Sequence, residues 1–474
     1  MNNDRKDIRI SIPAPAAKVI VRLHELGYEA CIVGGCVRDS LLGLTPEDWD
    51  ITTSATPEQV REAFSRTFDT GAAHGTVTVR MDGESLEVTT YRIDGAYGDH
   101  RHPDEVHFTS SLEEDLKRRD FTINAMAYND RDGLIDLFHG VEDLSGGIVR
   151  CVGNADERFT EDALRIFRAV RFCAKLGFSM APETKDAAIR LSPSLSLVSA
   201  ERIRMELEKL LVSPHPELIR LAWECGITKV VLPEFDAMMN AVQNNAHHKV
   251  TVGEHTIRTL CACPPERILR LVMLLHDSGK PACQTIDEKG IFHYHGHAEP
   301  GARIAEKVCE RLKFDKTTIR TVVHLIRNHS IYPELTQEGV RRAVVRLGED
   351  LFPLFLQVKR ADIGGQNPEV QEKKFRYMDE VERIYEGILA QGDCLNLKDL
   401  KVTGNDLIAA GIPRGILLGR ILDKLLDEVL SDPSLNRKEV LLERAGALAG
   451  DFEEEEKQLK QKEKEQLTKG IAAC

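Results

Sequence analysis

Two aspartates, Asp48 and Asp50, follow a glycine pair, Gly34-Gly35, within CIVGGCVRDSLLGLTPEDWDITTS, residues 31 to 54. Read as a strand, DWDITTS would set both carboxylates on one face and turn Trp49 to the other, since side chains alternate along extended chain. Two hard oxygen donors side by side suit Mg2+, and two-metal phosphoryl transfer uses such a pair. Glu87, in the strand LEVTTYR, is a candidate third carboxylate. The glycines have a matching use: they let backbone approach a ligand and turn the N–H groups of a new helix toward a phosphate, where Arg38 adds charge. Each feature alone has a plain explanation, a surface dipeptide pattern or a simple turn. One short helix apart, they point together to a nucleotide site.

A second cluster lies in RFTEDALRIFRAVRFCAKLGF, residues 158 to 178. In a helix from Glu161, Arg165, Arg168, Arg171 and Lys175 recur every three or four residues as one basic stripe, with Asp162 a turn before Arg165. A solvated face would explain a lone stripe. Arginines this close also repel unless an anion sits among them, and a triphosphate or RNA backbone would serve. Arg and Asp together offer donors and acceptors in fixed geometry, as reading a base edge requires.

The elements that must position these residues change character along the chain. To about residue 150 strands alternate with helices: ACIV (30–33), the helix VRDSLLG ended by Gly43, TPEQVREAF with Thr56 as N-cap, then GTVTVRM and LEVTTYR joined by DGES as a hairpin. From 160 onward helix follows helix, among them 161–176, 199–211, 254–262, 265–277 and 350–362. Residues 452–468, FEEEEKQLKQKEKEQLT, have too few apolar residues to pack and read as a frayed helix or a disordered segment. The expected division is 1–150, 151–245, 246–365, 366–450 and a charged low-complexity segment 451–474.

The bulk figures set bounds. A net charge of −13 over 474 residues argues against a generally basic nucleic-acid binder, although an average hides local patches. Eleven cysteines without a CxxC fit reduced thiols in the cytosol. MNNDRKDIRI lacks the apolar core of a signal peptide, and no apolar run approaches the roughly 18–20 residues that span a bilayer. The expectation is a cytoplasmic protein with no membrane partner.

Five motifs in order resemble those of the class II tRNA nucleotidyltransferase and poly(A) polymerase family. They are Gly34 to Asp50 (GGxVRDxLLG, then DxD), RRDFTINAMAY (118–128), DGLIDLFHGVEDL (132–144), the basic stretch 158–178, and SAERIRMELEKLL (199–211). The resemblance implies an α+β fold: a polymerase-β-like nucleotidyltransferase α/β head, then an all-helical neck, body and tail. It implies that Asp48 and Asp50 serve catalysis with Mg2+, beside the candidate third carboxylate Glu87, and that Asp162 and Arg165 of EDxxR pair with the incoming CTP or ATP in place of a nucleic-acid template. It also implies that Gly34, Gly35, Arg38, Arg119, Arg168 and Arg171 contact the nucleotide, and that Asp120 orders the site or touches the sugar. The partners would be tRNA, CTP and ATP, with no DNA. Gly95 to Glu105 resembles the loop kept by enzymes that add the complete CCA; a poly(A) polymerase or a partial CC- or A-adding enzyme is the alternative. Arg190, Arg202, Arg204 and Lys209 are expected to contact tRNA, as are Arg414, Arg420 and Lys424 in the tail stretch 400–430.

Beyond residue 240, the order His255, His276-Asp277, His297, His324, His329, Asp362 resembles the HD superfamily of metal-dependent phosphohydrolases. An adjacent His-Asp at a helix end can share a transition-metal or Mg2+ ion with residues of neighbouring helices. The first ligand set would be His255, His276, Asp277 and Asp362. His297, His324 and His329 would serve a second metal, and Lys280 would hold a phosphate. The reading from another class is an HD phosphohydrolase whose N-terminal half only senses nucleotide. Intact Asp48 and Asp50 argue against it, since a sensor need not keep catalytic carboxylates.

Overall fold

The computed structural model describes residues 8–71, 75–94, 106–243 and 250–471. The loop Gly95 to Glu105 lies outside them. The chain packs as two compact units, residues 1–322 and 323–474, and the stretch 246–365 contributes to both.

The first unit opens with helix α1 (Ala14–Glu25), whose Ala16, Val19, Ile20 and Leu23 are buried at helical spacing. Strand β1 (Ala30–Val33) is buried along its whole length and enters helix α2 (Gly35–Leu41). There follow β2 (Ile51–Thr53), α3 (Pro57–Ala63), β3 (Thr67–Gly71), β4 (Thr76–Met81), β5 (Glu84–Thr90), the short β6 (Arg92–Asp94) and β7 (Val106–Phe108), and α4 (Leu112–Lys117). Strands β8 (Met126–Asn129) and β9 (Gly133–Asp136) and helix α5 (Gly140–Gly146) complete the head. Seven strands form one mixed sheet in the order β3-β4-β5-β2-β1-β8-β9, antiparallel except where β2 runs parallel to β5. Thr56 caps α3 in a capping box with Gln59, as the sequence predicts. The Asp82-Gly83 turn joins β4 to β5 with both residues at positive φ, the geometry of a tight hairpin.

Helices α6 (Ala155–Glu161), α7 (Leu164–Leu176), α8 (Pro182–Leu191) and α9 (Ala200–Leu211) follow. The expected continuous helix 161–176 is broken: Asp162 is extended, with φ −139° and ψ 103°. The helices 254–262 and 265–277 are found as Val252–Ala262 and Arg267–Leu275. Helices Ile227–Val231 and Pro233–Asn240, not expected from the sequence, lie between α9 and this pair.

In the second unit, Ile421, Leu425 and Val429 of the helix Ile416–Ser431 pack with Leu400, Leu407 and Leu441. The charged C-terminal stretch continues a single helix, Lys438–Ile471, rather than fraying early. Among the described residues no helix is long and apolar enough to cross a membrane.

Candidate active site and a second polar centre

Asp48, Trp49 and Asp50 precede β2 rather than lying within it. Their backbone is still pinned to the sheet, because Val33 N–H donates to the Asp50 carbonyl at 3.0 Å. In the parallel pair, Ile51 sits opposite Val88, which brings Asp50 beside Glu87. One cavity of about 370 Å³ is lined by Asp48, Asp50 and Glu87, and by Glu47, Trp49, Thr78, Glu84, Ser85 and Leu86. Trp49 borders the same cavity as the aspartates. The strand expected over these residues begins only at Ile51. Among the described residues, the Asp48, Asp50 and Glu87 oxygens do not converge as a trio within 4.8 Å. Enclosure by the protein raises the Asp50 pKa, as do the charges of Glu87 and Asp48, while Arg119 opposes them. Crowded hard oxygen donors of this kind suit a divalent cation, which Asp48, Asp50 and Glu87 could hold.

The Gly34 turn has φ +79°, where a side chain would be strained. A Cβ there would also stand 3.1 Å from Arg119 Nη1, so the missing side chain lets this guanidinium lie against the turn. Gly35 begins α2, which has only seven residues. Arg38 is buried; its Nη1 donates to Asn124 Oδ1, and its Nε to Asp39 Oδ1 at 2.8 Å. Asn124 Nδ2 donates to Asp120 Oδ1 at 3.0 Å, and the other Asp120 oxygen accepts from Arg168 Nε and Nη2 at 3.0 and 2.6 Å. Arg171 Nε donates to Glu206 Oε2 at 2.7 Å. The guanidiniums of Arg38, Arg168 and Arg171 stand 5.1, 5.5 and 3.7 Å from the centre of the Phe172 ring. This corrects the reading of the basic stripe. The anions among its arginines are the protein's own carboxylates, and they hold the guanidiniums in place before any ligand arrives.

The break at Asp162 shapes the proposed base reader. Asp162 Oδ1 accepts from Leu164 N–H at 3.1 Å, and Oδ2 from Arg202 Nη2 at 2.7 Å. Arg165 Nη1 donates to Glu161 Oε2 at 2.6 Å, and Nη2 to the Arg118 carbonyl at 3.0 Å. Arg202, expected to contact tRNA, is thus bonded to Asp162, while Arg190 pairs with Asp156, and Arg204 bonds the Lys313 carbonyl.

Asp120 makes the cost of this order measurable. Burial works against its charge, but Arg168, Asn124 and Arg165 outweigh it and bring its pKa down from 3.8 to about 2. A depressed carboxylate pKa gives stability that is present above the unfolded value and lost as pH falls toward the folded one. The stability gap between wild type and Asp120→Asn is therefore expected to shrink by about 2 kcal/mol between pH 5 and pH 2. Urea unfolding across that range tests it, and a constant gap would count against the Asp120–Arg168 strut.

The second centre gathers His255, from the helix Val252–Ala262, with His276 and Asp277, just past the end of Arg267–Leu275. All three are buried, and their ligand atoms lie within 4.8 Å of one another. Asp277 Oδ2 is 3.5 Å from His255 Nε2, 3.3 Å from His276 Nε2 and 2.6 Å from Lys280 Nζ. Asp277 Oδ1 is 3.4 Å from His297 Nε2. Gly279 permits this approach, since a Cβ there would stand 2.2 Å from the His297 carbonyl oxygen. His276 Nδ1 bonds the Met273 carbonyl at 2.7 Å, and His297 Nδ1 the Tyr294 carbonyl at 2.8 Å. Each Nδ1 thus donates to a carbonyl, which fixes the ring, and each Nε2 faces the carboxylate. The Asp277 pKa lies well below the usual range; burial opposes this, but His276 and Lys280 prevail. This donor set fits a divalent metal ion.

The remaining predicted ligands belong to the second unit. His324 Nε2 bonds the Leu347 carbonyl at 2.9 Å, and His329 Nδ1 the Ile326 carbonyl at 2.6 Å. Asp362 Oδ2 accepts from Gln366 Nε2 at 3.2 Å. In the same unit Lys424 pairs with Asp427, and the Arg420 guanidinium lies 4.2 Å from the Phe452 ring centre. Sequence reasoning missed Asn124, Phe172 and Glu206. Only the four-residue spacing of Asp120 and Asn124 in RRDFTINA hinted at a shared role.

The chain matches three family models: the poly A polymerase head domain over residues 30–150, the RNA- and SrmB-binding site of polymerase A over 177–239, and a tRNA nucleotidyltransferase domain 2 over 300–445. A CCA-adding enzyme of Leuconostoc mesenteroides is 51% identical over 197 residues, 42% of this chain and 49% of that protein. One from Geobacillus thermodenitrificans is 51% identical over 214 residues, 45% and 53% of the two chains. The chain thus spans about half the length of these curated relatives. The crystal structure of the Bacillus stearothermophilus CCA-adding enzyme in complex with CTP aligns with a TM-score of 0.68 at 30% identity, over 94% of this chain and all of that one. With the carboxylate cavity, the held arginines and the Asp162–Arg165 pair in one unit, this chain belongs to the family of CCA-adding enzymes and poly(A) polymerases.

Proposed function

We propose that the protein adds C, C and A to the 3′ end of tRNA, using CTP and ATP and no nucleic-acid template. The observation that carries this reading is the Arg118-Arg119 pair. The Arg118 carbonyl holds Arg165 of the base reader, while the Arg119 charge acts on Asp50 in the carboxylate cavity. One dipeptide thus ties nucleotide choice to phosphoryl transfer. The RNA 3′-hydroxyl would attack the α-phosphate and release pyrophosphate. Two Mg2+ ions held by Asp48 and Asp50, with Glu87 beside them, would activate the hydroxyl and neutralise the triphosphate. Arg38, Arg119, Arg168 and Arg171 would bind and orient the nucleotide, and no side chain need act as general base. The stacked motifs and the relative solved with CTP support this reading. It places the protein in the cytoplasm, on tRNA rather than DNA or membrane.

Incubation with tRNA transcripts lacking CCA, CA or A, with CTP and ATP supplied separately and together, is the test. With both present, three, two and one nucleotides are expected, with growth stopping at A; CTP alone should add two, one and none. An unlimited A ladder would identify a poly(A) polymerase, and arrest at CC or a need for preformed CC a partial enzyme.

A specific geometry favours a second metal centre as well. Its holding residues would be His255, His276 and Asp277, with His297 adjoining and Lys280 placed for a phosphate. When bound, a transition-metal or Mg2+ ion would supply an activated water for phosphate-ester hydrolysis. The combined His276→Ala, Asp277→Ala variant is expected to bind one Mn2+ fewer than wild type by mass spectrometry of the metal. Its kcat for CMP addition at saturating tRNA should stay within about threefold, because the two sites share no ligand. Equal metal content would remove the centre, and a kcat loss of two orders of magnitude would show that it supports the polymerase site.

A further inference from the structure

We infer that Asp115 is a positioning residue for nucleotide transfer: it keeps the Arg118-Arg119 pair off the catalytic carboxylates and on the nucleotide. This deepens the nucleotidyltransferase reading and rests on it. Asp115 lies on α4 and is fully buried. Its Oδ1 accepts from Arg118 Nε and Nη2 at 3.0 and 2.7 Å. Its Oδ2 accepts from Arg119 Nη2 at 3.2 Å and from Thr52 Oγ1 at 3.2 Å. Thr52 sits two residues beyond Asp50, and its hydroxyl also lies 3.3 Å from the Thr89 carbonyl, two residues beyond Glu87. One buried carboxylate thus bonds both arginines and Thr52, two residues beyond Asp50.

Two consequences follow from the chemistry. Arg119 lies against the Gly34 turn with Nη2 fixed on Asp115. A guanidinium fixed in this way at a glycine turn suits an incoming phosphate oxygen. Without Asp115, two adjacent half-buried positive charges would lose a buried carboxylate partner. The nearest compensation for Arg119 is the group of acids around Asp50, whose charge Arg119 already influences. A guanidinium paired there would compete with Mg2+. Asp115 also holds the Arg118 side chain, and the carbonyl of the same residue carries Arg165, so its loss would disturb base choice and transfer together.

The experiment compares wild type with Asp115→Asn, which keeps the shape and removes the charge. CTP affinity is measured by calorimetry without tRNA, and Mg2+ half-saturation during CMP addition. CTP binding is expected to weaken about tenfold and the Mg2+ requirement to rise severalfold, as when a supporting partner of a ligand is lost. A lower melting temperature with CTP affinity within twofold and an unchanged Mg2+ requirement would make Asp115 structural only and overturn the proposal. Should Asp115→Asn fail to fold, Asp115→Glu keeps the charge but shifts it by one methylene. CTP affinity should then fall by about threefold, and unchanged affinity would overturn the proposal. A wild-type chain that adds no nucleotide to any transcript would instead remove the function on which the inference rests.

Discussion

Asp50→Ala is expected to cut nucleotide addition by about a thousandfold or more while leaving the fold intact or slightly stabilised. The two effects share one cause. Asp50 stands among like charges, beside Glu87 and near Asp48, and its raised pKa shows that ionising it there is unfavourable. Deleting it relieves that repulsion and removes a metal ligand at once. Its backbone role, accepting from Val33 N–H, survives any side-chain change. Single-turnover addition of CMP to a transcript lacking CCA, with thermal melts of the same samples, checks both halves. Near-normal incorporation by Asp50→Ala would sink the metal assignment. A melting temperature lowered by many degrees would mean that the crowding argument is wrong.

The second large effect is expected in selectivity. Arg165→Ala should lower kcat/KM for CTP and ATP far more than for UTP and GTP, narrowing discrimination by about ten- to a hundredfold. The side chain is fixed by Glu161 and the Arg118 carbonyl, so its remaining donor capacity has a defined direction. Asp162→Ala should do the same, since Arg202 fixes one of its oxygens and Leu164 N–H the other. Measured kcat/KM for all four triphosphates decides the matter: an equal fall across the four would show that these residues bind without reading. Arg171→Ala should behave differently. It leaves the buried Glu206 carboxylate without its closest cation, so stability should drop along with nucleotide affinity.

The order of elements in the head was legible because its signals are local. Thr56 with Gln59 marks a helix start, the Asp82-Gly83 pair a hairpin, and the four-residue ACIV run a buried strand. The site was legible by residue type but not by arrangement. Asp48 and Asp50 were found for a strand geometry they do not have; it is the parallel pairing of Ile51 with Val88, 37 positions on in the chain, that brings Glu87 alongside. Helical periodicity ran through Asp162 because nothing in its neighbours forbids a helix there. The break is held by Arg202, which comes from α9 and cannot be anticipated from a local window. The partners of the arginine stripe were invisible for the same reason: Asp120 and Glu206 lie 48 and 35 positions from the arginines they hold.

The pairing of nearly every arginine in the site with a carboxylate bears on how fast a nucleotide arrives. Asp39, Asp115, Asp120, Glu161 and Glu206 cancel much of the positive field that Arg38, Arg118, Arg119, Arg165, Arg168 and Arg171 would otherwise project into solvent. On a chain of net charge −13, a triphosphate is therefore not drawn in from a distance. Its encounter rate should be that of ordinary diffusion and change little with ionic strength. The grip of the arginines is felt only at contact, where it sets how long the nucleotide stays.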